Sequence, residues 1–334
     1  MAKISSGGTG PAGGGQTAPR PTVPRIDVIG AGVAGLCAAT ALAEAGAQVR
    51  LIDRAPDPQG ASWLAGGMLA PFCEGESAPE PVVACGADSI AWWSARADVT
   101  HGGTLVIAPA RDRAELDRFA ARTRGWQWLD GDAIAALEPD LAGRFDRALF
   151  FPTEAHLDPR DAMAGLRARL DFTPDQAPDA PVIVDCRGWS ARDMLPDLRP
   201  VRGEMLEIAS AELRLNRTVR VLHPRFPCYL VPRAGGRIMV GGTMVESADD
   251  GPVTARAVME LLSAAYTLHP ALAEARLLAT GAGLRPSFPD NLPQIRQAGG
   301  RWHVNGFYRH GFLMAPVMAQ RLAETLIHEV RHAG

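Results

Sequence analysis

Cysteine is scarce in this 334-residue chain: Cys37, Cys73, Cys85, Cys186 and Cys228 are scattered, odd in number and form no CxxC pair. That excludes a disulfide framework and a zinc ribbon, and fits idle or buried thiols in a reducing compartment. An excess of one charge is also missing. Lys and Arg number 34 against 37 Asp and Glu, a net charge of −3 without any basic run, so nucleic acid is not an expected partner. No GK[ST] phosphate loop and no GxSxG elbow occurs, and no stretch reaches the roughly 18 apolar residues a membrane span requires. Apolar residues are what the chain has in quantity. At 47% hydrophobic against 21% charged it can bury a sizeable core, and domains of roughly 100–200 residues make two the expected number.

Residues 1–25 hold six Gly and four Pro and no acidic residue, too little apolar surface to offset the entropy of ordering; a disordered leader is expected. Arg20 and Arg25 ahead of the apolar stretch 26–43, which closes on Ala41-Leu42-Ala43, trace the outline of a signal peptide. Asp27 interrupts that stretch and Gly30, Gly32 and Gly35 weaken a helical core, so a cytoplasmic protein is expected instead. At the other end His328-Glu329-Val330-Arg331-His332 satisfies HExxH. It lies where a helix frays, with no further ligand downstream, and histidines near a negative helix end explain it better than zinc. No metal is expected.

Arg25-Ile26-Asp27-Val28-Ile29 reads as a short buried strand, Gly30-Ala31-Gly32-Val33-Ala34-Gly35 as a turn, and Leu36 to Ala45 as an Ala-rich helix. A second strand, Gln48 to Ile52, ends at Asp53, about 20 residues on, where an acidic side chain meets a ribose. In such a unit the first glycine permits the tight turn, the second lets backbone approach a pyrophosphate, and the third allows close helix packing. An ADP-containing cofactor follows, but FAD and NAD share that half. The small-residue run Ser62-Trp63-Leu64-Ala65-Gly66-Gly67-Met68-Leu69-Ala70-Pro71 offers backbone against which a large flat ring can lie.

From here the sequence resembles the D-amino-acid oxidase superfamily of flavoproteins, and within it the glycine oxidase branch of thiamine biosynthesis, from Ile26 to about Leu326. The further markers are Gly203-Glu204-Met205-Leu206, Cys228 to Arg233, Val240-Gly241-Gly242-Thr243-Met244, Gly281 to Pro286, and Phe307 to Pro316. The resemblance implies an α/β fold: a Rossmann-like FAD-binding domain assembled from 26–80, 150–200 and 279–334, with an inserted, mostly antiparallel β-sheet substrate domain over 81–149 and 201–278. Local patterns agree, with β-rich runs at Gly103–Ile107, Gly203–Ile208, Tyr229–Pro232 and Arg237–Val245, a glycine turn at 234–236, and helices opening at Asp158-Pro159 and Thr254. One departure stands out: between the Asp158 helix and the Val182 strand only residues 170–180 remain, where relatives carry a β-hairpin over the adenine side of FAD.

The resemblance assigns FAD, held noncovalently, to Gly30, Gly32, Val33, Ala34, Gly35, Asp53, Arg54, Ala61, Ser62, Gly66, Gly67 and Met68, and to Phe307, Tyr308, Arg309, His310, Gly311, Phe312 and Leu313. Arg285 matches the bidentate carboxylate clamp, for which a planar guanidinium is suited. Tyr229 matches a hydroxyl on the same carboxylate, and Arg309 a second arginine that steers the anion or forms an ion pair. Met68 and Met244 match positions lining the pocket, where a thioether excludes larger side chains. His310 is a flavin-loop contact without catalytic duty, and the helix from Gly311 points positive dipole at the flavin. The implied activity is oxidation of glycine by O2 to glyoxylate, ammonia and hydrogen peroxide through an imine handed to thiazole synthase, in a homo-oligomer. Sarcosine, a small D-amino acid, and a noncatalytic flavin-fold subunit are the alternatives.

Overall fold

The computed structural model describes residues 23–53, 60–223 and 225–332; the first 22 residues of the expected leader and Arg54 lie outside them. The strand Arg25–Ile29 buries Ile26 and Val28 at the centre of a six-stranded sheet. It pairs in parallel with Gln48–Asp53 on one side and Val182–Asp185 on the other. Arg301–Asn305 and Gln294–Ala298 extend one edge, and the short strand Asp171–Pro174 the other. Only the Gln294–Ala298 edge is antiparallel. That single strand Asp171–Pro174 is all that stands between the helix Pro159–Arg167 and Val182–Asp185.

The helix Val33–Glu44 is buried over most of its surface and packs against the helix Gly311–His332, with Leu36, Leu42, Leu313 and Leu322 in one apolar cluster. It begins at Val33, three residues before the sequence pattern places it. Gly32 stays extended as its N-cap without a capping side chain, so the helix grows straight out of the glycine turn. The stretch 26–43 is therefore strand, turn and helix at the middle of the fold, not a signal sequence core.

A nine-stranded sheet faces this unit. Its order is Val245–Glu246, Arg199–Ala209, Arg237–Gly241, Cys228–Arg233, Thr218–Val221, Thr104–Ile107, Arg147–Phe151 and Gln127–Asp130, with Arg276–Ser287 along the other side of Arg199–Ala209. All pairs are antiparallel except Thr104–Ile107 with Thr218–Val221. Leu105, Leu206, Ile208 and Val240 meet Leu261 and Ala265 of the helix Ala255–Leu268 in its core. Thr254 caps that helix and Asp158 caps Pro159–Arg167, as their residue types dictate. The expected strand Arg237–Val245 breaks at Gly241, because Thr243 leaves the ladder to bond the side chain and backbone of Glu204. The two sheets meet where Ser287 bridges Phe307 and the Tyr308 N–H donates to the Pro286 carbonyl at 2.8 Å. No helix among the described residues is long and apolar enough to cross a membrane.

Candidate active site

At the carboxyl ends of Arg25–Ile29 and Gln48–Asp53 the chain builds a cradle out of backbone. Gly30 turns at φ +101°, where a side chain is strained, and a Cβ on Gly35 would stand 1.7 Å from the Gly30 carbonyl oxygen. Glycine at both positions lets the helix Val33–Glu44 start against the strand, with its N-terminal N–H groups facing the cavity. Ser62 Oγ accepts from the Val33 N–H at 3.1 Å, and Asp53 Oδ2 from the Ala31 N–H at 2.7 Å. This cradle opens on a cavity of about 2050 Å³, beyond the ~300–1,000 Å³ of a drug-sized ligand site. Gly30, Gly32, Val33, Ala34, Asp53, Ala61, Ser62, Gly66, Gly67 and Met68 all line it, and so does the loop from Phe307 through Leu313. Gly35 lies behind the wall. A helix N-terminus that opens from a glycine turn, an acid at the end of the adjacent strand and a long cavity fit a dinucleotide such as FAD.

The same cavity reaches the nine-stranded sheet at Arg285, Tyr229 and Met244. Register pairs Gly203 with Gly283 and Val201 with Arg285, and the Arg285 side chain folds back across Gly203: a Cβ there would lie 2.2 Å from its guanidinium carbon. Arg285 Nη1 donates to the Thr243 carbonyl at 3.0 Å. A Cβ on Gly242 would stand 3.2 Å from the Tyr229 hydroxyl and 3.4 Å from Arg285 Nη2, so phenol and guanidinium flank one point. Burial makes Arg285 hold its proton less firmly than usual, an effect that Tyr229 partly offsets and Arg309 adds to. Among the described residues Arg285 has no carboxylate partner. Met68 is half-buried on the short strand Met68–Leu69, while Met244 is 50% exposed, its sulfur accepting from the Tyr308 hydroxyl at 3.4 Å.

Arg309 is placed differently from Arg285. Its Nη2 donates to Glu74 Oε2 at 2.5 Å, and Glu74 also faces Arg220 at 3.4 Å and His310 Nδ1 at 3.7 Å. Burial alone would push the Glu74 carboxyl up, but Arg309, Arg220 and His310 together bring it down to about 2. Arg309 is thus held in an ion pair with Glu74. Burial brings His310 down to about 4, so it is neutral near pH 7. Glu74, Arg220, Gly203 and Thr243 carried no individual role in the sequence. The first two are separated from Arg309 and from each other by long stretches of chain, so no local spacing marks them.

Behind Glu74 lies a buried acid. Glu154 is 1% exposed, and its Oε1 accepts from the Cys73 N–H at 2.7 Å. Among the described residues the Thr218 hydroxyl has no hydrogen-bond partner, and the Thr104 hydroxyl is at most a weak donor to the carboxylate. Burial outweighs the hydrogen bonds and pushes the Glu154 carboxyl up to about 8, with Glu74 adding to the rise. The unfolded chain ionises this group near its ordinary 4.5, so between those two values the unfolded state holds fewer protons and stability falls as pH rises. Glu154→Gln removes that slope. Its melting temperature should match the parent near pH 4.5 and exceed it increasingly toward pH 8; a gap that stays constant from pH 5 to 8 would show that Glu154 is ionised in the fold.

The chain matches the DAO family, FAD dependent oxidoreductase, over residues 25–171 and 172–325. It is 55% identical over 317 residues to the protein assigned as thiamine biosynthesis oxidoreductase ThiO in Rhizobium etli, covering 91% of this chain and 97% of that one. The glycine oxidase of Pseudomonas aeruginosa is 28% identical over 361 residues, covering 90% and 94%. The bifunctional protein ThiO/ThiG of Synechocystis is 26% identical over 354 residues, covering 92% of this chain and 52% of its own length. Among solved structures, that of glycine oxidase from Geobacillus kaustophilus superposes with a TM-score of 0.75 at 24% identity, covering 90% and 94%. These similarities and the cradle together show that the chain belongs to the DAO family of FAD dependent oxidoreductases, in which it resembles the ThiO and glycine oxidase branch.

Proposed function

We propose that this chain is an amino-acid oxidase acting on glycine: glycine, O2 and water yield glyoxylate, ammonia and hydrogen peroxide. The observation that carries the reading is Arg285, a cation on the cavity wall with a backbone carbonyl as its hydrogen-bond partner and the Tyr229 hydroxyl beside it. Two neighbouring arginines already have carboxylates: Arg309 has Glu74, and Arg220 has Glu74 and Glu76. Arg285 therefore has charge left for a small anion, and its fork suits a carboxylate.

Bound FAD supplies the hydride acceptor and passes the electrons on to O2. The protein's part is orientation. Arg285 and Tyr229 hold the substrate carboxylate, which fixes the Cα–H bond and leaves the amine free to lose its proton. Met68 and Met244 line the same cavity and restrict the side chain at Cα. The six-stranded sheet carries the cofactor and the nine-stranded sheet the substrate. The imine formed by loss of hydride is the species handed to a thiazole-forming partner, a reading supported by the ThiO relative and by the ThiO/ThiG protein in which the two names share one chain.

Anaerobic titration of the yellow protein with glycine tests this directly. The visible flavin band should bleach with glycine and return on admitting air. A band that glycine leaves untouched while sarcosine or D-alanine bleaches it would replace the substrate, and one that no small amine bleaches would overturn the oxidase reading.

A further inference from the structure

The guanidinium of Arg285 is aimed by one atom, the carbonyl oxygen of Thr243, which accepts from Nη1 at 3.0 Å. Thr243 lies outside the regular ladder, in the segment between Arg237–Gly241 and Val245–Glu246, where nothing in the sheet holds its carbonyl. What holds it is Glu204. The Thr243 N–H donates to the Glu204 carbonyl at 3.2 Å, the Glu204 N–H donates to Thr243 Oγ1 at 2.9 Å, and the Thr243 hydroxyl donates to Glu204 Oε2 at 3.0 Å. A threonine hydroxyl has one proton to give. Here it is spent on the carboxylate while the oxygen accepts from backbone, so all three bonds are satisfied together.

Glu204 is itself immobilised. It is 1% exposed, and its Oε1 accepts from the Thr254 N–H at 2.9 Å and from Arg202 Nη2 at 3.1 Å. Arg202, 3% exposed, also donates to the carbonyls of Asp249, Gly251 and Pro252. Burial opposes ionisation of Glu204, but these donors win and hold its carboxyl below the usual range. A fully satisfied buried network of this kind has one low-energy arrangement. Thr243 cannot shift without breaking it, and the guanidinium occupies the space that a side chain at position 203 would fill.

We propose that Glu204 and Thr243 are positioning residues for substrate binding: they fix the plane of the Arg285 guanidinium so that two of its remaining N–H groups meet one carboxylate. The inference rests on the reading of Arg285 as the carboxylate clamp. It assigns to Glu204 a duty that no contact with substrate would reveal, because its two oxygens point into the sheet network.

The test uses the FAD-loaded protein and two readouts: acetate binding, followed by perturbation of the flavin spectrum, and steady-state oxidation of glycine. Thr243→Val keeps the carbonyl and the shape but loses the hydroxyl. It should weaken acetate binding and raise KM for glycine about tenfold, with kcat changed less, since a small misplacement of a binding group costs that order. Thr243→Ser restores the hydroxyl and should return both values to within about threefold of the parent. Glu204→Gln should fall between the two. Rescue by serine together with unchanged FAD affinity supports the positioning role. If Thr243→Val and Glu204→Gln lower the melting temperature while acetate affinity stays at the parent value, the network is structural only. Arg285→Ala in parallel separates the two readings: loss of acetate binding there, with none in the Thr243 variants, overturns the positioning role alone, whereas no loss in either overturns the clamp.

Discussion

Arg285→Ala should raise KM for glycine about a hundredfold and leave FAD bound. Two charge-assisted hydrogen bonds in a half-buried site contribute about 3 kcal/mol, which is roughly a hundredfold in an equilibrium constant. The cradle at Gly30 to Gly35 belongs to the other sheet and does not touch this side chain, so the visible spectrum should be kept. Stability should not suffer either. Arg285 gives one hydrogen bond, to the Thr243 carbonyl, and burial disfavours its charge; removing a cation without a carboxylate partner is neutral or mildly stabilising. Arg285→Lys restores charge without the planar fork and should recover about a tenth of the lost affinity. The signature is therefore a large loss of substrate affinity with an unchanged or slightly higher melting temperature. A KM within about threefold of the parent, or loss of affinity accompanied by loss of FAD, would show that Arg285 is not the clamp.

How much of this site can be read from the sequence depends on how local the physics is. The nucleotide cradle is legible because strand, glycine turn and helix are contiguous, and because a turn at positive φ with a helix pressed against it leaves few residue types possible. Asp53 is legible for the same reason, since the second strand places it at a fixed distance. Arg285 and Tyr229 are different. They come together only through the register of Arg199–Ala209 with Arg276–Ser287 and of Cys228–Arg233 with Arg237–Gly241, and in the sequence only the family resemblance marks them. Gly203 looks like any strand glycine until that register lays Arg285 across it. The Glu74 partner of Arg309 lies 235 residues away, so the choice between steering cation and ion pair has no local signal at all. The early start of the helix at Val33 and the break at Gly241 are both cases in which tertiary hydrogen bonds, from the Val33 N–H to Ser62 Oγ and between Thr243 and Glu204, override what periodicity alone indicates.

Gly35→Ala is expected to cost the protein its cofactor. The added Cβ would stand 1.7 Å from the Gly30 carbonyl oxygen, 3.0 Å from its carbon and 3.3 Å from the Cys186 Cβ. The first two are backbone atoms of a turn already at φ +101°, so neither can yield as the end of a flexible side chain would. The helix Val33–Glu44 must move away from the strand, and its N-terminal N–H groups move with it. Overpacking of this kind costs about 1–3 kcal/mol. At the upper end FAD affinity falls roughly a hundredfold, and the variant should purify colourless, take up FAD only at high concentration and melt lower. The same substitution at Gly165, inside the helix Pro159–Arg167, is the control: nothing lies within 4 Å of its Cβ, and alanine is favoured over glycine in a helix by about 1 kcal/mol. Gly165→Ala should keep its colour and melt slightly higher. Equal FAD affinity in the two variants would mean that the close approach of helix to turn does not shape the cofactor site, and the reading of Gly30 to Gly35 as its cradle would fall.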